Sequence, residues 1–188
     1  VGSGKSSVGI NEIIRRGLET PPCKDGVRRS RFVVVRNTYG ELADTTKKTF
    51  DQWIPNPSAI CEFNKNEFSA QIRIDNGEER IHIEVLFRAL DRPEHVKKLL
   101  SMELTGAYVN EVREVPKAVI DMLGNRVGRF PSRADVTTKE NPTGAYWFGV
   151  WADSNPCDTD HWLYLLFENG DVLEQELELP EGGKITVR

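Results

Sequence analysis

Cysteine is scarce in this 188-residue chain: Cys23, Cys61 and Cys157 are its only three, and no two form a CxxC pair. An odd number of widely spaced thiols does not make a disulfide framework and points to a reduced setting. Long apolar runs are missing as well. No stretch reaches the roughly 18 residues needed to span a bilayer, and no secretory leader is legible at the start. Positive charge is not in excess, since 25 Lys and Arg stand against 29 Asp and Glu for a net charge of −4. That balance argues against wholesale coating by nucleic acid while leaving room for a local basic face. No internal repeat or low-complexity segment is present, which excludes a repeat architecture. What is there is ordinary globular bulk: 38% hydrophobic residues, with four Trp and eight Phe, enough to fill a core in one domain over residues 1–188.

The pattern along the chain alternates. "SSVGINEIIRRGLE" sets Val8, Ile10, Ile13, Ile14 and Leu18 at helical spacing, with Gly17 near the end. "RFVVVRN" (31–37) is a continuous β-branched run, the signature of a strand covered on both faces in a parallel sheet. "YGELADTTKKTFDQWI" predicts a helix with Leu42, Phe50 and Trp53 inward. Between 69 and 87, Ile72, Ile74, Ile81, Ile83 and Val85 alternate around Asp75-Asn76-Gly77, predicting a β-hairpin with a tight turn. "RPEHVKKLLS" and "PKAVIDMLGNR" predict helices, "LTGAYVNEV" (104–112) and "AYWFGVWADSNP" strands. "DTDHWLYLLF" predicts a helix capped by Asp158 or Thr159, and the charged tail ends in an edge strand, "KITVR". This order predicts an α/β fold with a mainly parallel sheet flanked by helices and an inserted hairpin.

Gly4-Lys5-Ser6 matches the end of a phosphate-binding loop, G-x-x-x-x-G-K-[ST], whose first glycine would fall two positions before Val1. A glycine-rich turn feeding straight into a helix is the context such a loop needs, because backbone N–H groups and the helix N-terminus both attract phosphate. Gly2, Ser3, Gly4, Lys5, Ser6 and Ser7 are therefore the candidate ATP-binding residues. Lys5 would neutralise the β- and γ-phosphates, and the Ser6 hydroxyl would ligate Mg²⁺. The competing reading of the tripeptide is a Gly/Ser linker holding a chance lysine. In P-loop folds the strand before the loop is central to the sheet. It is missing here, so the chain is expected to be a domain truncated at its N-terminus.

"AYVNE" (107–111) supplies the acidic end of a neighbouring strand. Glu111 stands where a water-activating glutamate belongs, and Asn110 where an aspartate usually assists Mg²⁺; its carbonyl could still accept from a metal-bound water. A further strand ends in "WADSNP", where Ser154 or Asn155 would suit a γ-phosphate sensor. Taken as an ordered set, "VVVRNTYGEL", "LTGAYVNEVREVPKAVIDMLGNRVGRFPS" and "WADSNPCDTDHWLYLLF" resemble the ATPase domain of tailed-phage terminase large subunits, over about residues 1–168.

The resemblance implies a P-loop NTPase fold of the ASCE/RecA-like type, with ATP and Mg²⁺ as cofactors. Residues 4–6 match the end of Walker A and residues 109–111 match Walker B with its catalytic glutamate. Ser154-Asn155-Pro156 matches the motif coupling hydrolysis to DNA movement. It also implies double-stranded viral DNA, a homo-oligomeric ring, a portal and a small terminase subunit as partners, no membrane, and action in the host cytoplasm. The family's C-terminal nuclease domain has no counterpart here. The rival readings are another P-loop ATPase, such as a helicase-like translocase, or a non-catalytic interaction protein with a degenerate nucleotide site.

Ring motors need a cation at the γ-phosphate, often from a neighbouring subunit. Arg36, Arg126, Arg129 and Arg133 are available, and Arg126 and Arg129 are favoured; the same loop could touch DNA phosphates instead. Cys157 and His161 beside Asp158 and Asp160 suggest a metal only weakly, since a second ligand pair is missing. Trp147, Phe148 and Trp151 are expected to be core residues of a central strand rather than an adenine platform.

Overall fold

The computed structural model describes residues 4–90, 93–168, 175–178 and 184–187. They fall into two compact units, Val1–Ser154 and Asn155–Arg188. The first unit is built on a six-stranded sheet in the order β2-β3-β4-β1-β5-β6. Its centre is β1 (Val27–Arg36), paired in parallel with β4 (Arg80–Ala89) on one side and with β5 (Gly106–Val109) on the other; β5 in turn pairs in parallel with β6 (Gly149–Ala152). The continuous apolar run of β1 is covered on both faces. Phe32 and Val34 join the cluster beneath α1 (Lys5–Glu19), and the intervening Val33 and Val35 are equally buried. Alternate residues of a strand face opposite ways, so four buried in a row require a strand clothed on both sides, the usual state of a parallel sheet.

The hairpin forms in the register its isoleucines predict. β3 (Ser69–Asp75) pairs antiparallel with β4, Ile72 opposite Ile83 and Ile74 opposite Ile81. Asp75 pairs with Arg80, so residues 76–79 make a four-residue loop rather than a tight two-residue turn. Its amides are taken by the side-chain oxygens of Asp75 and Asn76. The hairpin extends the main sheet, and the short β2 (Cys61–Asn64), unforeseen in sequence, pairs beyond it.

α1 lies against β1, β4 and β5 and also touches α3. Ile10 and Ile13 are its buried apolar side chains, while Val8 and Leu18, on the same predicted stripe, are exposed. Gly9 allows the close approach: a Cβ there would meet the Tyr108 ring at 2.2 Å. After β1 the chain runs through α2 (Tyr39–Glu41), a π turn (Leu42–Lys47) and α3 (Lys48–Trp53). Leu42 and Phe50 are buried as expected, but Trp53, the last residue of α3, is exposed. α4 (Pro93–Leu100) packs on α5 (Lys117–Gly124), which reaches β6; α6 (Arg133–Val136) is a single turn.

β6 corrects one expectation. It is the end strand of the described sheet, half-exposed rather than central. Trp147 and Trp151 still pack partly buried against the core, Trp151 stacked on Tyr108, but Phe148 is exposed. In the second unit, α7 (Trp162–Phe167) is capped by His161, whose Nδ1 accepts from the Leu163 amide, and not by Asp158 or Thr159. Those two residues precede the first helical residue by too many positions to reach its open amides. "KITVR" contributes β8 (Lys184–Val187), which pairs with β7 (Gln175–Glu178) in a separate two-stranded ribbon. Among the described residues no helix is long and apolar enough to cross a membrane.

Candidate active site

Parallel strands bring their carboxyl ends to one edge of the sheet, and the chemistry collects there. Gly4, with φ 73°, makes the left-handed turn that starts α1, so Lys5, Ser6 and Ser7 form the helix's first turn, where amides lack intrahelical partners. Gly2 and Ser3 lie outside the described residues. The Lys5 ammonium donates to the Ser154 carbonyl at 2.9 Å, joining the head of α1 to the chain just past β6.

Asn110 follows β5 and is only 3% exposed. Its carbonyl oxygen accepts from the Thr46 hydroxyl at 2.7 Å and from the Arg36 guanidinium at 3.3 Å. Its amide nitrogen faces the other way, toward the Ser6 hydroxyl at 3.1 Å, the Tyr108 hydroxyl at 3.2 Å and both carboxylate oxygens of Asp153 at 2.9 and 3.0 Å. The π turn places Thr46 there, and Arg36, the last residue of β1, is buried with Glu41 and Glu114 at 3.4 and 3.5 Å.

Asp153 was not among the residues predicted from sequence. It follows β6 directly and accepts from the Tyr108 hydroxyl at 2.8 Å and from the Glu111 amide at 2.7 Å, while Ser6 Oγ lies 3.4 Å from its Oδ2. The available signal was an acid at the end of a strand, one position before Ser154. Burial first, and the Asp153 charge second, raise the Tyr108 pKa well above the usual phenol range. Glu111 itself sits at φ 53°, ψ 58°, a left-handed conformation costly for a residue with a Cβ and concentrated at functional sites. Its carboxylate is 4.0 Å from the Arg113 guanidinium.

Lys5, Ser6, Asn110, Glu111 and Ser154 are thus drawn to one edge. Arg126 and Arg129 are not. Their backbone groups bond Leu104, ahead of the amino end of β5, whereas Glu111 lies past its carboxyl end. Arg133 donates to the Thr143 carbonyl. Asn155 opens the second unit. Among the described residues no group of three or more His, Cys, Asp or Glu could hold a metal, Cys157 and His161 included. The donors beside Lys5 are a hydroxyl and a carboxylate. That hard-oxygen pair suits Mg²⁺ shared with phosphates and waters better than an all-protein cage.

A sheet of parallel strands whose carboxyl ends meet a Gly-Lys-Ser helix start defines the P-loop NTPase architecture. Solved structures narrow the likeness. The large terminase of a thermophilic bacteriophage matches with a TM-score of 0.64 and 13% identity, over 90% of this chain and 35% of that one. A structure of the same phage enzyme in complex with ADP matches at 0.61 and 10% identity, over 90% and 35%. The large terminase ATPase domain of Thermus phage P74-26 matches at 0.50 and 15% identity, over 98% and 68%. The fold is that of terminase ATPase domains, and the chain spans about a third of the length of the full large terminases it matches. No protein-family model and no curated protein matches the sequence.

Proposed function

We propose that the chain is the ATPase motor domain of a viral large terminase, hydrolysing ATP with Mg²⁺ to move double-stranded DNA into a procapsid. The observation that carries this reading is the convergence of Lys5 and Ser6 with Glu111 at the carboxyl edge of a terminase-like sheet. The neighbouring phage enzyme has been crystallised with ADP and with ATP-γ-S, in keeping with a nucleotide ligand here.

Lys5 would hold the β- and γ-phosphates, with amides of the first turn of α1 around them. Ser6 would supply a ligand to Mg²⁺, with Asn110 beside it; the metal, when bound, neutralises charge on the phosphate oxygens. Glu111 would orient and deprotonate the attacking water. Ser154, whose carbonyl already accepts from Lys5, and Asn155 would pass the state of the nucleotide to the rest of the motor. Arg126 and Arg129, remote from this chain's own site, would act on a neighbouring subunit's nucleotide in a homo-oligomeric ring, or on DNA. Portal, small subunit and the host cytoplasm complete the setting.

Asn110 in place of an acid favours a second reading, a degenerate site without catalysis. Steady-state hydrolysis separates the two. Glu111→Gln is expected to lose about 10²–10⁴-fold in turnover while still binding nucleotide, and unchanged turnover in that variant would overturn the assignment.

A further inference from the structure

We propose that Asp153 is the carboxylate of the metal side of this site, the charge having moved from the end of β5 to the end of β6. The inference rests on reading the site as one for an Mg²⁺-bound nucleotide.

The orientation of Asn110 carries the first part. A guanidinium only donates and a carboxylate only accepts. With Arg36 and Thr46 on one side and Asp153 on the other, the amide is held with its oxygen toward Arg36 and its nitrogen toward Asp153. Turning it over would set oxygen against carboxylate and nitrogen against guanidinium. No acceptor of Asn110 therefore faces Ser6, and the residue in the expected acidic position offers the metal side only N–H groups.

Strand register carries the second part. Val109 pairs with Ala152, so Asn110 and Asp153 are the next residues on adjacent parallel strands. The pairing continues through Asp153 N to Val109 O and Val112 N to Asp153 O at 3.1 and 2.9 Å. Asp153 thereby comes to the Ser6 hydroxyl, its Oδ2 at 3.4 Å, beside the Asn110 amide. Two carboxylates at this spacing could not both stay ionised, so an acid at 153 is compatible with an amide at 110. The same carboxylate accepts from the Glu111 amide and so pins the left-handed turn that carries the proposed base.

The test compares the protein with Asp153→Asn, with the exchange variant Asn110→Asp/Asp153→Asn, and with Lys5→Ala. ATP-γ-S affinity is measured in Mg²⁺ and in EDTA, and Mn²⁺ binding is followed by EPR in the presence of ATP-γ-S. Asp153→Asn is expected to lose about 10–100-fold of the metal-dependent gain in affinity and most bound Mn²⁺, with its affinity in EDTA kept. The exchange variant is expected to regain the gain, and Lys5→Ala to weaken binding in both buffers. A wild-type metal gain in Asp153→Asn, or an equal loss in Mg²⁺ and EDTA, would overturn the proposal and leave the nucleotide site standing. Wild-type protein that binds no nucleotide in either buffer would overturn both. If Asp153→Asn does not fold, the exchange variant decides: a metal gain supports the shifted carboxylate and its absence overturns it.

Discussion

The two ends of β5 are built to opposite ends. At its amino end, Leu104 closes onto the loop of Arg126 and Arg129 by backbone hydrogen bonds, and the buried Thr105 hydroxyl accepts from the Arg31 amide and donates to the Phe130 carbonyl. At its carboxyl end, Tyr108, Asn110, Glu111 and Asp153 share a network that also holds Ser6, Thr46 and Arg36, together with a non-glycine residue at positive φ. The carboxyl end thus ties side chains from several elements into one polar network, where the amino end relies mainly on main-chain bonds and a single hydroxyl. The lesson is positional: the polar groups of this site gather at the carboxyl ends of the parallel strands, while Arg126 and Arg129 lie at the other edge.

The contrast can be broken in several ways. The largest difference should lie in nucleotide handling. Against the loss expected of Glu111→Gln, Arg126→Ala and Arg129→Ala should leave the nucleotide affinity of dilute protein within about twofold; a tenfold loss by titration would bring that loop into the site. Next, Gly9→Ala drives a Cβ into the buried Tyr108 ring and should destabilise by about 1–3 kcal/mol in denaturant titration, with nucleotide affinity falling as Tyr108 is displaced from Asp153. Arg36→Ala removes the shared partner of Asn110, Glu41 and Glu114. It should cost about 2–3 kcal/mol, less than a fully buried pair because both glutamates keep contact with water.

The smallest effect is at Tyr108→Phe, about 1 kcal/mol for its hydrogen bonds, and it has a pH signature. Above pH about 10 the unfolded tyrosines ionise, while folded Tyr108 keeps its proton. The folded state then binds more protons and stability falls as pH rises. Tyr108→Phe should flatten that decline, leaving the smaller part due to Tyr146, whose pKa burial raises to about 12. An unchanged alkaline slope would remove Tyr108 from the account.

Much of this architecture was legible in residues 31–37 and 72–85, because burial on two faces and alternation on one leave different patterns. β2 was not, since four residues between polar turns carry too little periodicity. Trp53 was misplaced because it closes α3, and apolar spacing does not mark where a helix ends, and His161 because three conventional capping residues stood before it.

By itself the sequence determined Gly4-Lys5-Ser6 before a helix, Asn110-Glu111 after a strand, and the α/β order, all of them local patterns of spacing and polarity. Only the tertiary structure decided that Asp153 faces Asn110 and Ser6. Asp153 lies 43 residues from Asn110 along the chain, and the two meet because parallel strands align by backbone hydrogen bonding, which holds Val109 beside Ala152 and leaves no trace in either segment alone.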